Sequence, residues 1–500
     1  MDGIKPGKYP AMTDSADDSK NLRVSVFTVT KLLSLSALPS LIQSITANLA
    51  FTILIFFVSL NKESNLVGAV GMGSTIYFTG ITAFLQALNI GLSTLGSQAF
   101  GANNPQLLGY YFKKTIVVQL MVLIPLILMV ARFSKLFKLI GFEPELAENI
   151  ENVILAMMPS AVPFLYFDAA KNYLVAQKIF IPQGYVQIAT SILDVPVQYI
   201  LIVGFDLQIT GVGLCRFIME SCRALCLYYY IHRSGKCEAA IVPWDRNCFR
   251  GLFTLFKFQL AAGSLQILDI IGTQIILLQA GSFSPNEVTA NVVLTRITKF
   301  CAIWSLSLGI SLTSFVGNSM GEQNEGKAKL FIRVGIVLDF FLIGCIWYLL
   351  GSYRISLAQI FSNEEGVIEH AAGLLYFYLY ISPFENLQNV LGAILQSVGK
   401  EKQSSKLYML TYYPIAIPLS MILAHLFKLR LYGLYGAMLA ARIMNVIGSV
   451  YFLCRVDINE QIQLVVSRVE SNQKYVPVGS PTKTRDTSFL IDTSTEEHSV

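Results

Sequence analysis

Carboxylates inside long apolar segments are the residues of this sequence with the clearest potential for chemistry. Asp269 lies in the segment LQILDIIGTQ (265–274), where its neighbours are apolar or uncharged, and Glu385 follows Pro383 in a second apolar segment. An ionised group at the centre of a bilayer is costly, and apolar surroundings favour the protonated form of a carboxylate. Each acid is therefore either a proton carrier or the partner of a buried base, for which Arg296 is the obvious candidate.

Other ionisable residues in apolar segments have simpler explanations. Asp168 and Lys171 are three positions apart, so we expect them to pair on one helix face, and the same spacing separates Glu220 from Arg223. Asp194, in SILDVP (191–196), has either a functional role or a hydrogen bond between helices. Two further residues complete the set, Lys299 and Asp339.

The composition indicates where these residues must be placed. Hydrophobic residues make up 54% of the 500 residues and charged residues only 14%, whereas soluble proteins are about one quarter charged. A membrane-spanning helix needs about 20 mostly apolar residues, and we recognise about twelve such segments. Because the apolar runs do not alternate with polar residues as barrel strands do, we predict an all-α polytopic membrane protein.

The basic residues indicate the orientation of the chain in the membrane. The net charge is +5, and the loop between the sixth and seventh apolar segments contains Arg233, Lys236, Arg246 and Arg250. Basic loops tend to remain in the cytoplasm, so we predict a multi-pass protein with both termini cytoplasmic, in the plasma membrane or in a vacuolar or other endomembrane. The basic residues are too scattered for a nucleic-acid patch.

One sequence phrase occurs once in each half of the chain. LSTLGSQAFGANN (92–104) and LTSFVGNSMGEQN (312–324) each end an apolar segment with an amide, Gln98 or Asn318, and a glycine three residues later, Gly101 or Gly321. We expect the amides to cap their helix ends and the glycines to suit a turn with positive φ. Two copies of one bundle are typical of a secondary transporter whose substrate binds between the halves.

The repeat defines a domain division. We predict a disordered cytoplasmic tail over residues 1–30, a six-helix bundle over 31–232, a basic cytoplasmic linker over 233–252, a second six-helix bundle over 253–456, and a disordered cytoplasmic tail over 457–500. The two bundles are expected to be pseudo-symmetric because each carries the phrase. The repeat is expected to be parallel rather than inverted, because an even number of predicted helices separates the two copies.

These residues resemble the multidrug and toxin extrusion (MATE) transporters over about residues 30–455. The repeated amide phrases are similar to that family's turns after its second and eighth helices. LVAQKIFIP (174–182), with Gln177 and Pro182, resembles the exit of its fourth helix, and PFENL (383–387) resembles its tenth. The resemblance implies a V-shaped arrangement of two six-helix bundles and cation-coupled efflux.

The resemblance also implies roles for individual residues. Asp269 and Glu385 correspond to acids of the seventh and tenth helices that are thought to couple protons in eukaryotic members. Gln274 and Arg296 stand where some animal members carry acids, which makes the expected cavity less negative. We interpret Arg296 as a tether for one carboxylate, with binding of an anionic substrate as the alternative. Asp194 occupies a position where the family often has Asn.

The sequence therefore predicts a proton-coupled antiporter that exports amphipathic organic compounds, with cationic ones favoured, by alternating access between two bundles. The alternative is a flippase or exporter of lipid-linked or anionic metabolites. The expected partners are a small organic substrate, H⁺ with Na⁺ as the alternative coupling ion, and the bilayer, and we expect a monomer. No GxxxxGK[ST] loop, Ser-His-Asp arrangement, metal-ligand spacing or cofactor motif is present, so we predict neither an enzyme nor a cofactor.

Overall fold

The computed structural model describes residues 18–60, 64–130, 144–359 and 365–473, and within these ranges the regular structure is helical. The first half contains α1 (Asp18–Ser59), α2 (Gly68–Gly101), α3 (Pro105–Met129), α4 (Pro144–Ala176), α5 (Ile181–Gly204) and α6 (Gln208–Arg233). The second half contains α7 (Leu252–Ser282), α8 (Pro285–Gly321), α9 (Glu325–Gln359), α10 (Glu365–Ser397), α11 (Glu401–Leu426) and α12 (Arg430–Cys454), followed by α13 (Ile458–Gln473).

Ten of these helices are long and apolar enough to cross a membrane, which supports the prediction of a multi-pass protein. Each half also contains one helix of comparable length that is not among these ten, α6 in the first half and α10 in the second. These two helices carry charged groups such as Glu220, Arg223 and Glu385. Large apolar side chains on the outside, including Val337 and Phe341, are exposed as they would be to lipid. The charges of α6 and α10 must therefore be satisfied inside the protein.

Irregular turns interrupt several of the helices. α2 widens into a π-helical turn at Tyr77–Thr82, and α11 has π-helical turns at Tyr412–Ala416 and Ile422–Leu426 on either side of Pro418. Proline removes a backbone donor and displaces the preceding turn, which explains the break in α11. These turns change the direction in which the following side chains point.

Each half has its own apolar core, and a third core joins them. Leu85 and Ile154 belong to the core of the first half, and Leu375 and Leu434 to that of the second. The third core combines residues of both halves with residues of α13: Leu33, Phe180, Phe315, Ile394 and Ile462. The halves are thus sealed against each other at one end of the molecule, where α2 and α8 end.

The two repeated phrases meet at this sealed end. A Cβ on Gly101 would lie 2.1 Å from the carbonyl oxygen of Asn318, and a Cβ on Gly321 would lie 2.1 Å from the carbonyl oxygen of Gln98. Only glycine permits these two helix ends to approach so closely. The contact is reciprocal, as expected for two copies of one motif facing each other.

The structure corrects the roles predicted for these amides and glycines. Gln98 Nε2 donates to Ser397 O at the end of α10 (3.2 Å), and Asn318 Nδ2 donates to Ala176 O at the end of α4 (3.0 Å). Each amide therefore reaches a helix end of the opposite half, in addition to the bond that Asn318 makes to its own helix. The turns take their positive φ not at glycine but at Asn103 (56°) and Gln323 (55°).

The structure also differs from the predicted tails. α1 begins at Asp18, within the stretch expected to be disordered, and α13 covers Ile458–Gln473, where disorder was predicted from residue 457. Ile458, Ile462 and Val465 recur on one face of α13 and are buried in the shared core, which stabilises a helix of otherwise polar composition. Residues 1–17 and 474–500 lie outside the described ranges.

The close approach of the two turns leads to a test by Gly101→Ala and Gly321→Ala. The added methyl group overlaps a backbone carbonyl in each case, and overpacking of this kind costs about 1–3 kcal/mol. Gly344→Ala on α9 is the matched control, because a Cβ there meets nothing within 4 Å. We expect both turn variants, and not the control, to lower the thermal unfolding midpoint of the purified protein in detergent. Equal midpoints for all three variants would contradict the assigned contact.

Candidate functional site

A cavity of about 510 Å³ lies between the two halves. The first half contributes residues of α1, α2, α4, α5 and α6, and the second half contributes residues of α7 and α8. Its uncharged polar wall includes Gln43, Asn48, Gln86, Gln187, Gln274, Asn291 and Thr295, and its apolar wall includes Phe51, Phe78, Phe164, Phe167, Leu277 and Val292. This mixture of amides, aromatic rings and aliphatic groups is typical of a pocket for a small organic molecule.

Two aromatic rings connect arginines from opposite sides of the cavity. The rings of Phe51 on α1 and Phe78 on α2 pack edge to face, with centroids 5.5 Å apart. Arg216 Cζ lies 4.7 Å from the centre of the Phe78 ring, and Arg296 Cζ lies 5.4 Å from the centre of the Phe51 ring. Because Arg296 belongs to the second half and Phe51 to the first, this cation–π contact crosses the interface between the halves.

The charges contributed by the first half are largely paired. Glu220 Oε1 accepts from Arg223 at 2.8 Å and lies 3.0 Å from Arg216 NH2. Asp194 on α5, 4% exposed, is close enough to this group to interact electrostatically with both arginines. The predicted pairing of Glu220 with Arg223 is confirmed.

The predicted pairing of Asp168 with Lys171 is also confirmed. Asn89 Nδ2 donates to the other oxygen of Asp168 at 2.6 Å. Asp168 is thereby held by Lys171 and Asn89 at the edge of the cavity. The second half contributes Arg296 and Lys299, one turn apart on α8, and in the described part of the chain no carboxylate lies within ion-pair distance of either.

The ion pair with a carboxylate that was predicted for Arg296 is formed by another residue, Arg442. Arg442 on α12 lies 3.1 Å from Glu385 Oε1, and its side chain is 5% exposed. Tyr378 donates to the second oxygen of Glu385. Arg296 instead points into the cavity, so its interpretation as a carboxylate tether is wrong.

Asp269 belongs to the same polar cluster in the second half. Its Oδ1 accepts from Tyr412 Oη at 2.6 Å and from Gln388 Nε2 at 3.0 Å. Gln388 in turn accepts from Asn445 Nδ2 at 3.3 Å. Gln388 is three residues from Glu385 on α10, so that the two carboxylates are joined through neighbouring positions of one helix. We call Asp269, Glu385, Gln388 and Arg442, together with Tyr378 and Tyr412, the acid cluster.

The acid cluster does not line the cavity. The geometry of α7 explains why. Gln274 faces the cavity, and Asp269 is five residues away, which corresponds to about 140° around a helix. One face of α7 thus serves the cavity and another serves the acid cluster, so that α7 connects the two sites mechanically.

The other predicted residues occupy structural positions. Gln177 Nε2 donates to Tyr173 O at the end of α4 (3.3 Å), and Pro182 lies in the first turn of α5, where its missing N–H costs nothing. In the described ranges no group of three or more His, Cys, Asp or Glu side chains is arranged to hold a metal ion.

Sequence reasoning missed Arg442 and Arg216. Both are charged residues inside long apolar or mostly uncharged helices, so the criterion that singled out Asp269 would have selected them as well. Gln388 and Asn445 carried no comparable signal, because uncharged amides are common in membrane helices.

Comparison with known proteins identifies the family to which this architecture belongs. The MatE family profile matches residues 39–200 and again residues 265–422, one copy in each half. The chain belongs to the MatE family. The resemblance inferred from the repeated phrases is thereby confirmed.

Relatives in plants and animals cover most of the chain. Protein DETOXIFICATION 49 of Arabidopsis thaliana is 24% identical over 408 residues, 81% of each chain. Multidrug and toxin extrusion protein 1 of Danio rerio is 22% identical over 464 residues, covering 93% of this chain and 77% of that protein. The crystal structure of the eukaryotic MATE transporter AtDTX14 superimposes with a TM-score of 0.84 at 19% identity, covering 89% of this chain and 99% of that one. The predicted twelve-helix, V-shaped fold of two six-helix bundles is confirmed.

The buried ion pair of the acid cluster provides a stability test. Arg442→Gln leaves Glu385 without its counter-charge, and breaking one partner of a buried pair costs about 3–5 kcal/mol. Arg442→Gln combined with Glu385→Gln removes both charges and is expected to recover part of the loss. Thermal unfolding of the two variants in detergent measures this difference. A double variant no more stable than the single one would show that Arg442 acts through other contacts.

Proposed function

We propose that this protein is a secondary active efflux transporter, which exchanges protons for an amphipathic organic solute by alternating access between its two bundles. The cavity between the halves is the observation that carries the proposal, because it is lined by both halves and sealed at one end by the Gly101 and Gly321 contacts. The relatives named for multidrug and toxin extrusion support export as the direction of transport.

The sealed end corresponds to the cytoplasmic side if both termini are cytoplasmic, as the basic linker indicates. The structure then represents the outward-open state, and the return to the inward-open state requires the halves to separate at α2 and α8. The contacts between the halves at this end include two hydrogen bonds between neutral groups, Gln98 to Ser397 and Asn318 to Ala176. Each contributes only about 1 kcal/mol net, so such contacts can be broken and remade in a transport cycle.

Proton coupling is assigned to the acid cluster. Protonation of Glu385 removes the charge that holds Arg442, and Arg442 also lies in the electrostatic field of Asp269. A change in the protonation of either acid therefore alters the hydrogen bonds of α7, α10, α11 and α12 together. Since α7 also presents Gln274 to the cavity, a rearrangement of the cluster changes the wall against which the solute packs.

We place the protein in the plasma membrane or an endomembrane as a monomer, with H⁺ as the coupling ion. An acidic external or lumenal compartment would protonate the cluster from the open side. The alternative coupling ion, Na⁺, is decided by the same experiment that tests the proposal.

The proposal predicts that Asp269→Asn and Glu385→Gln uncouple transport from the pH gradient. The purified protein is reconstituted in liposomes with an acidic interior, and accumulation of radiolabelled tetraethylammonium, p-aminohippurate and benzamide is measured, one solute of each charge type. Whichever solute the wild type accumulates, we expect the accumulation driven by the pH gradient to be at least tenfold lower in each variant. Removing one oriented acid from a proton-transfer site typically costs a factor of this size.

Asp339→Asn is the matched control. Asp339 is a fully buried acid of α9 that accepts from Ser305 Oγ at 2.6 Å and lies outside the acid cluster. Its variant should retain gradient-driven accumulation. Accumulation that follows a Na⁺ gradient and ignores pH would replace the proton by Na⁺. Absence of accumulation under both gradients would overturn the proposed function.

A further inference from the structure

Arg296 and Lys299 are the charged residues of the cavity whose presence the transport cycle leaves unexplained. They lie one turn apart on the cavity face of α8, and neither has a carboxylate partner in the described ranges. Unpaired charges at membrane depth are costly and persist where they have a function. Their positions in the middle of the interface between the halves make a ligand the natural counter-charge.

The remaining charges around the cavity do not supply that counter-charge. Arg216 and Arg223 are offset by Glu220 and Asp194, and Asp168 is held by Lys171. The net positive charge of the cavity therefore comes from α8. A cationic solute would be repelled there, which disfavours the cationic substrates predicted from the sequence.

Hydrogen-bond donors remain available on the opposite wall as well. Arg223 is 3% exposed, yet its NH2 group has no hydrogen-bond partner, and neither has Arg216 Nε. Both residues line the cavity. Glu220 Oε2 is likewise unpartnered, so this wall offers one acceptor beside the two donors. Buried donors of this kind are normally satisfied, so this wall has hydrogen-bonding capacity that the surrounding side chains do not use.

The apolar part of a ligand also has a defined place. Phe51 and Phe78 form a perpendicular ring pair between Arg216 and Arg296, so an aromatic ring packing on this pair would place its substituents near a guanidinium. The guanidinium of Arg296 matches the two oxygens of a carboxylate, sulfonate or phosphate, and Lys299 adds a second cation one turn away.

We propose that the cavity binds an amphipathic organic anion, whose oxyanion lies against Arg296 and Lys299 and whose aromatic body packs on Phe51 and Phe78. The identification of this anion as the exported solute rests on the proposed function. Binding of the anion to the cavity, however, can be tested without transport. Export of an anion and import of a proton both move positive charge inward, so a membrane potential negative inside would drive both.

The first experiment measures equilibrium binding to the purified full-length protein in neutral detergent, with no gradient present. The probes are radiolabelled p-aminohippurate, the neutral benzamide and tetraethylammonium. We expect p-aminohippurate to bind most tightly and Arg296→Gln to weaken it about tenfold or more, as for loss of one charge-assisted hydrogen bond. Lys299→Gln should weaken it less, and Arg296→Lys should recover part of the loss.

Arg333→Gln is the matched control, because Arg333 is an exposed basic residue of α9 that does not line the cavity. Its variant should bind p-aminohippurate as the wild type does. Tighter binding of tetraethylammonium than of p-aminohippurate would overturn the inference. So would equal p-aminohippurate binding by wild type and Arg296→Gln when both unfold at the same temperature.

Two further measurements distinguish this inference from lipid binding at the same site and from the proposed antiport. A lipid headgroup offers the same oxyanion, so competition by phosphatidylglycerol that is lost in Arg296→Gln would assign the site to a lipid and overturn the soluble solute. Binding of p-aminohippurate in detergent without gradient-driven accumulation in liposomes would leave the anion site intact and overturn only the proposed antiport. Accumulation of tetraethylammonium without anion binding would do the reverse.

Discussion

The reciprocal approach of Gly101 and Gly321 is the constraint on which the rest of the structure depends. Each glycine faces a backbone carbonyl of the other half, and this brings the ends of α2 and α8 together. The shared apolar core and α13 gather around the same point, where Arg468 NH1 donates to Gln98 Oε1 at 3.3 Å. Because the halves meet so tightly at one end, they diverge toward the other, and the cavity is the space that this divergence leaves.

The separation of the acid cluster from the cavity constrains the proton coupling that we propose. Direct competition for one carboxylate would require proton and solute to occupy the same place, and here Asp269 and Gln274 point to different faces of α7. The proposed coupling would then have to pass through α7 itself. The π-helical turn at Tyr412–Ala416 begins at the tyrosine that donates to Asp269, so the cluster is attached to one of the least regular segments of the second half.

The sequence was sufficient for the fold because its signals are local and repeated. Apolar segments of spanning length, together with a phrase present in both halves, determine two bundles, and spacing alone predicted the pairs Asp168–Lys171 and Glu220–Arg223. The partner of Glu385 could not be obtained in this way. Arg296 and Arg442 both lie in apolar segments, and only the packing of α10 against α12 decides between them. For the same reason, the amides Gln98 and Asn318 were assigned to their own helices when they also reach the opposite half.

Because Arg442 and not Arg296 pairs with Glu385, the cavity has a different charge from the one predicted. Had Arg296 neutralised Glu385, the interface between the halves would carry little net charge, and the family resemblance alone would guide the choice of solute. With Arg442 in that role, Arg296 and Lys299 remain as positive groups beside an aromatic pair. The acids to which we assign proton coupling and the bases to which we assign solute binding are then distinct groups on adjacent helices. On these assignments, substitutions on α8 would change the selectivity for the solute without altering the acid cluster.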